Sequence, residues 1–255
     1  MLNKIYSRLI RLDKLKIKKS MGFSKVFYFL ILKFINSIRW TYCIFMNPSD
    51  INLEDFFKKI KILWHGGNEG HTQQVDEETV YLKQVSKKAK NILEVGFNGG
   101  HSAETMLQSS DRSSIVSVDI GFHHYVKFGY YFLKKKYKNR LKLMIGNSKE
   151  VLPRLVESNK KFDLIFIDGG HDYDVVKSDL SNAIRMSDNN TLIVVDDVYY
   201  PKSKDDEVYF DGHNEGPTKA WLELIKEQKI YEVDYVRFDT NNTNLRSLVA
   251  GRIKQ

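Results

Sequence analysis

From residue 91 onward, short uninterrupted apolar runs alternate with stretches of helical spacing. NILEVGF (91–97), SIVSVDI (114–120), LKLMIGN (141–147), FDLIFID (162–168) and NTLIVVDD (190–197) predict strands. Between them SAETMLQSS (102–110), YVKFGYYFLKKKY (125–137), SKEVLPRLVES (148–158) and YDVVKSDLSNAIRM (173–186) predict helices. Strands this continuously apolar are covered on both faces, as in a parallel sheet. Repeated strand–helix units therefore predict an α/β, doubly wound fold with helices on both faces. A polar loop (198–217) follows, then a helix TKAWLELIKEQ (218–228) and two strands, YEVDYVRFDT and RSLVAGRI, joined by NNTNL. These last two read as an antiparallel hairpin at the edge of a mostly parallel, seven-stranded sheet.

The first part of the chain has a different pattern. Residues 1–47 form a basic and apolar helical arm, and 48–255 the folded body. Pro48, followed by Ser49 or Asp50 as candidate N-caps, opens a helix through Trp64. The Gly-rich loop HGGNEGHTQQ (65–74) and a helix VDEETVYLKQVSKKA (75–89), acidic at its start and basic at its end, precede the first strand. The apolar stretch 25–46 is broken by Lys33, Asn36 and Arg39, and its longest uncharged runs are seven and ten residues. A bilayer span needs roughly 20. The long basic lead without a small-residue cleavage site also disfavours a signal peptide. Two readings stay open: peripheral contact with an anionic membrane, or helices that pack on the body or on a second subunit.

Composition changes the picture only once charge is located. The net charge is +8, yet residues 1–40 alone hold ten Lys or Arg against the single acid Asp13, so the body is close to neutral. That distribution, with no N-P-P-Y motif on the fourth strand, gives no nucleic-acid partner. One cysteine, Cys43, excludes an intramolecular disulfide and is expected to pack as a small apolar residue. The expected location is cytoplasmic, peripheral to a membrane if the arm binds lipid; a homo-oligomer is left open.

Chemistry gathers at the carboxyl ends of the strands, where open α/β sheets bind ligands. The first strand ends in Glu94-Val95-Gly96-Phe97-Asn98-Gly99-Gly100, the second in Asp119, the third in Gly146-Asn147-Ser148, the fourth in Asp168 and the fifth in Asp196-Asp197. One such acid is commonly a helix cap; four of five strand ends carrying one is not explained that way. The glycine turn admits a ligand to the backbone, and Asp119, 23 residues past Gly96, stands where a carboxylate accepts ribose hydroxyls. A nucleoside ligand follows. The turn is G-x-x-G-G rather than G-x-G-x-x-G, and no G-x-x-x-x-G-K-[ST] occurs, which disfavours NAD and ATPase chemistry.

ILEVGFNGGHSAETML resembles the first motif of class I S-adenosylmethionine-dependent methyltransferases, and VSVDI, IGNSKEVLPRL, FDLIFIDGGHDY and LIVVDDV continue the likeness in family order over roughly residues 72–252. The resemblance implies a Rossmann-like methyltransferase fold and S-adenosylmethionine as cofactor. It is nearest to small-molecule O-methyltransferases of the macrocin and catechol kind. By that likeness Glu94, Gly96, Asn98 and Gly100 line the methionine and ribose end, Ser102 begins the next helix, and Asp119 holds the ribose. Asn147 and Ser148 edge the adenine, where relatives often have Asp-Ser. Asp168, Asp196 and Asp197 fall on the positions that bind Mg²⁺ in metal-dependent relatives; three carboxylates at one edge would repel without a cation. His171 falls where catechol-type enzymes place a general base, beside Asp168. His213 is a further candidate for acceptor contact.

The resemblance thus implies Mg²⁺-assisted O-methylation of a small-molecule or sugar hydroxyl, with 198–217 as acceptor lid and Tyr199, Tyr200 and Tyr209 suited to a sugar. Two alternatives are a nucleotide-dependent oxidoreductase on a similar sheet and a non-catalytic membrane-associated protein that keeps the fold.

Overall fold

The computed structural model describes residues 25–49, 51–60, 76–199, 212–238 and 246–254. The body is built on seven strands: β1 (Asn91–Val95), β2 (Ser114–Asp119), β3 (Leu141–Ile145), β4 (Leu164–Ile167), β5 (Leu192–Asp196), β6 (Ile230–Phe238) and β7 (Arg246–Ile253). Their order across the sheet is β3-β2-β1-β4-β5-β7-β6. The first five pair in parallel, and β7 runs antiparallel between β5 and β6. The C-terminal pair is thus an antiparallel hairpin, as its sequence predicts. Its second strand lies inside the sheet, however, and of the two only β6 is at an edge.

The helices are α1 (Lys25–Phe45), α2 (Leu53–Ile60), α3 (Asp76–Ser86), α4 (His101–Ser109), α5 (His124–Tyr137), α6 (Ser148–Glu157), α7 (Tyr173–Arg185) and α8 (Glu215–Lys226). The α8 helix starts three residues earlier than its pattern suggests. Pro217 is tolerated there because first-turn N–H groups have no intrahelical acceptor. The stretch 61–75 and most of the 198–217 loop, with Tyr200 and Tyr209, lie outside the described residues.

Strand alternation divides the core into two layers. Ile92, Ile115, Phe166 and Val194 face α2, α4 and α5, where Phe56, Met106 and Phe132 are buried. Leu93, Val118, Ile165 and Val195 face Val151, Leu180 and Trp221 of α6, α7 and α8. This two-sided burial is why the strands read as continuous apolar runs.

The described part of the arm docks on α5. Ile35, Arg39 and Cys43, spaced four apart along α1, are all buried. Trp40 packs on Phe128 at 4.7 Å and on Tyr131 at 5.3 Å between ring centroids. The Arg39 Nε donates to the Ile60 carbonyl at the end of α2 (3.3 Å). Lys135 Nζ donates to the carbonyls of Ile44 (2.9 Å) and Met46 (2.5 Å), completing the C-terminus of α1. Burial pushes the Cys43 thiol up to about 11, in keeping with a small packed residue. Among the described residues, no helix is long and apolar enough to cross a membrane.

Candidate active site

Strand order reverses between β1 and β4, and the loops leaving their carboxyl ends meet there. Gly96 continues the ladder by donating to the Val118 carbonyl (2.8 Å), and the Asp168 N–H donates to the Val95 carbonyl (2.8 Å). The two loops touch backbone to backbone. A Cβ on Gly96, whose φ is +100°, would lie 1.8 Å from the Asp168 carbonyl oxygen. Only glycine fits this turn. The loop then enters α4, whose N-cap Gly100 makes no side-chain cap, so the first-turn N–H groups have no side-chain acceptor at that position.

Asp119 braces this loop. Its Oδ2 accepts from the N–H groups of Phe97 (3.0 Å) and Asn98 (2.8 Å), and Oδ1 from Gly121 (2.7 Å). A carboxylate offers about four acceptor positions, so one remains for a ligand hydroxyl. Asn98 sits in the left-handed region at φ +46°, and its Oδ1 is buried without a hydrogen-bond partner. An orphaned acceptor on a loop braced by Asp119 fits a ligand carrying N–H or O–H donors, as the amino acid and ribose parts of S-adenosylmethionine do.

Glu94 works from beneath the loop. It is fully buried, with Oε1 accepting from Ser102 and Oε2 from Ser117, each at 2.5 Å. Burial pushes its carboxyl up to about 7; the two serine hydroxyls pull it down, and the Asp119 charge raises it further. Ser102 and Glu94 therefore tie α4 to β1 and β2. Asn147 is the N-cap of α6, its side chain accepting from Lys149 N (3.0 Å), and Ser148 opens that helix. Two side chains not picked out by the sequence reading stand next to Asp119: Ile120 and Phe122, both exposed, with Ile145 of β3 also exposed nearby. Exposed apolar groups flanking a ribose-type carboxylate suit a flat heteroaromatic base. The available signal was their position in DIGF, immediately after the strand-end acid.

The second half of the site lies beyond β4 and β5. Asp168, His171 and Asp197 bring ligand atoms within 4.8 Å of one another. His171 Nε2 and Asp197 Oδ2 are 3.0 Å apart. Asp197 takes φ +57°, in the region tolerated best by Gly, Asn and Asp. The stretch after β5 is held by Ser247 Oγ donating to the Val198 carbonyl and by Tyr199 N–H donating to Thr218 Oγ1 (2.8 Å). His171 is braced from the other side by α8: a Cβ on Gly216 would lie 2.0 Å from its carbonyl oxygen. The His213 ring meets His171 edge-on at 5.0 Å.

Asp196 does not join this group among the described residues. As the last residue of β5 it is buried and paired with Leu248 of β7, and alternation puts it on the face of Val194. Tyr199 is likewise buried, with Arg237 over its ring at 5.3 Å; it is a core residue and not a sugar platform. The donor set fits a divalent cation. The His171–Asp197 spacing of 3.0 Å is that of a direct hydrogen bond, which leaves the two carboxylates as the groups that would hold an ion. Two carboxylates suit Mg²⁺ or Mn²⁺.

A parallel sheet with a switch point over a glycine turn, a loop-bracing acid and an orphaned acceptor forms a Rossmann-like domain with a candidate ligand site at its switch point. Comparison with known proteins agrees. Residues 93–198 match the family model of a methyltransferase domain, and the chain's resemblance to class I S-adenosylmethionine-dependent methyltransferases is borne out. An O-methyltransferase from Bacillus cereus, solved in complex with SAH, is 17% identical, with a TM-score of 0.59 over 86% of this chain and 97% of that one. The O-methyltransferase TomG from Streptomyces achromogenes, involved in tomaymycin synthesis and solved with SAM, is 14% identical, with a TM-score of 0.58 over 88% and 98%. The N-methyltransferase NodS from Bradyrhizobium japonicum is 16% identical, with a TM-score of 0.52 over 70% and 96%. At these identities the structural likeness establishes the fold. No curated protein matches the chain. The match to a methyltransferase model favours that reading over the oxidoreductase alternative.

Proposed function

We propose that the protein is an O-methyltransferase that transfers the methyl of S-adenosylmethionine to a hydroxyl on a small molecule or sugar. The observation that carries this reading is the convergence of Asp168, His171 and Asp197 beside the glycine loop. A hydroxyl is a poor nucleophile until its proton leaves, and this group is built to take one. With Nε2 donating to Asp197, His171 is held as the tautomer whose basic lone pair is on Nδ1. Asp197 also stabilises the imidazolium that results. Gly96, Asn98 and Asp119 bind and orient the donor, and Ile120 and Phe122 flank its base. When bound, S-adenosylmethionine supplies the methyl carbon, which the acceptor oxygen takes as the C–S bond breaks. A Mg²⁺ or similar ion held by Asp168 and Asp197 would supply Lewis acidity that lowers the acceptor pKa. His213, against His171, borders the acceptor side.

The test is calorimetric titration of S-adenosylmethionine into the full chain and an Asp119→Ala variant, followed by methyl transfer to a panel of hydroxyl acceptors with and without chelator. Expected are binding lost in Asp119→Ala, and a kcat lowered about 10²–10⁴-fold in His171→Gln with donor affinity unchanged. Mn²⁺ binding, read by its electron-spin signal, should weaken in Asp168→Asn. A folded chain that does not bind the donor overturns the reading. A His171→Gln variant of full activity removes the base, and Mn²⁺ binding indifferent to Asp168 removes the metal site.

A further inference from the structure

The arm leaves one face of α1 uncovered. Ile35, Arg39 and Cys43 point into the body, whereas Leu30, Phe34, Ile44 and Phe45 on the opposite side are 55%, 56%, 55% and 83% exposed. At 3.6 residues per turn these four fall within a single face. Aromatic and aliphatic side chains grouped this way on a helix already anchored elsewhere mark an interaction surface. The residues immediately before α1 show what would cover it. Residues 1–24 hold seven basic side chains (Lys4, Arg8, Arg11, Lys14, Lys16, Lys18, Lys19) against one acid, Asp13. Within them Leu2, Ile5, Leu9 and Leu12 recur at three- and four-residue spacing, with Lys4, Arg8 and Arg11 between. A basic amphipathic pattern leading into an exposed aromatic face is complementary to a surface that is both apolar and anionic.

We infer that the arm docks the protein on the surface of an anionic bilayer, with residues 1–24 supplying charge attraction and the outer face of α1 entering the headgroup boundary. The inner face of α1 stays on α5. Lipid contact and packing on the body are therefore not alternatives: the same helix does both. With Lys33 and Arg39 within it and its inner face committed to protein, α1 lies on the membrane and does not cross it. Docking of the arm calls on none of the residues of the candidate active site, so this reading stands or falls independently of the catalytic one.

The test is flotation of the full chain with vesicles of phosphatidylcholine alone or with about one third phosphatidylglycerol. Binding should be at least about tenfold stronger to the anionic vesicles and should weaken as salt rises from about 0.1 to 0.5 M. Replacing Lys14, Lys16, Lys18 and Lys19 with Gln should lower it about tenfold or more. Phe34→Ser with Phe45→Ser should lower it on anionic vesicles by a similar factor while leaving the thermal melt of the body in place. Equal binding to both vesicle types, or binding indifferent to the two phenylalanines, overturns the inference. So does a lipid-free dimer, seen by sedimentation, that the same two substitutions dissolve, since a second copy would then occupy the face.

Discussion

Glu94→Gln isolates the energetic consequence of a carboxyl enclosed under the glycine loop. The native group titrates near 7 instead of 4.5, chiefly because it is buried. A raised acid pKa means that the folded chain holds more protons than the unfolded chain between those values. The associated stability is complete below 4.5 and is lost as pH rises through 7. At about 1.4 kcal/mol per pH unit, the 2.5-unit interval amounts to about 3 kcal/mol. Glutamine keeps the shape and can still meet Ser102 and Ser117, but it carries no charge at any pH. The variant should therefore match the native protein near pH 5 and become more stable relative to it as pH approaches 8. For a chain of this size the difference corresponds to roughly 2–4 °C in Tm per kcal/mol. Asp179, which burial raises to about 6, titrates in the same direction in both proteins and cancels in the comparison. Melting curves of the pair at half-unit pH steps are the assay. A Tm difference that is flat from pH 5 to 8 would refute the idea that Glu94 ionises within the folded core.

Two further outcomes follow from geometry. Gly96→Ala places a Cβ against the Asp168 carbonyl at a φ of +100°, so it should remove donor binding in calorimetry and destabilise the body by more than about 2 kcal/mol in urea. Lys135→Met keeps the aliphatic stem but withdraws the donor from the end of α1; limited proteolysis should then cut the arm faster, with a cost of about 1 kcal/mol.

The βα rhythm was legible because β1, β2, β4 and β5 are buried on both sides and so are largely apolar, whereas β3, at the edge, exposes Lys142 and Ile145. The candidate site was legible in outline for a related reason: a carboxylate that ends such a strand emerges where the sheet stops being covered. What could not be read is direction. Asp196 and Asp197 are adjacent in sequence, but a pleated strand sends neighbours to opposite faces, and only the left-handed turn at Asp197 brings its carboxylate to His171. The His171–His213 contact depends on the loop before α8 and has no local signature. Arg39 gave a charge that seemed to demand solvent; in the fold it is buried because the last carbonyl of α2 is waiting for a donor. The lysine run in α5 is similar, since Lys134, Lys135 and Lys136 each serve a different partner: the Leu141 carbonyl, the end of α1, and Glu104.

The place of β7 has a consequence for how the molecule assembles. β6 is made first, yet its ladder is to β7 alone, and β5 waits for the same strand on its outer edge. Until β7 arrives, two strands present unpaired backbone, one of them the strand that ends in Asp196. Such open edges are templates for pairing with other chains. The contact that closes them spans about fifty residues of sequence, a separation that slows folding. One late event therefore seals the sheet and, through Ser247, fixes the stretch that follows β5, and lesions in β7 should appear as aggregation during synthesis before they appear as lost activity.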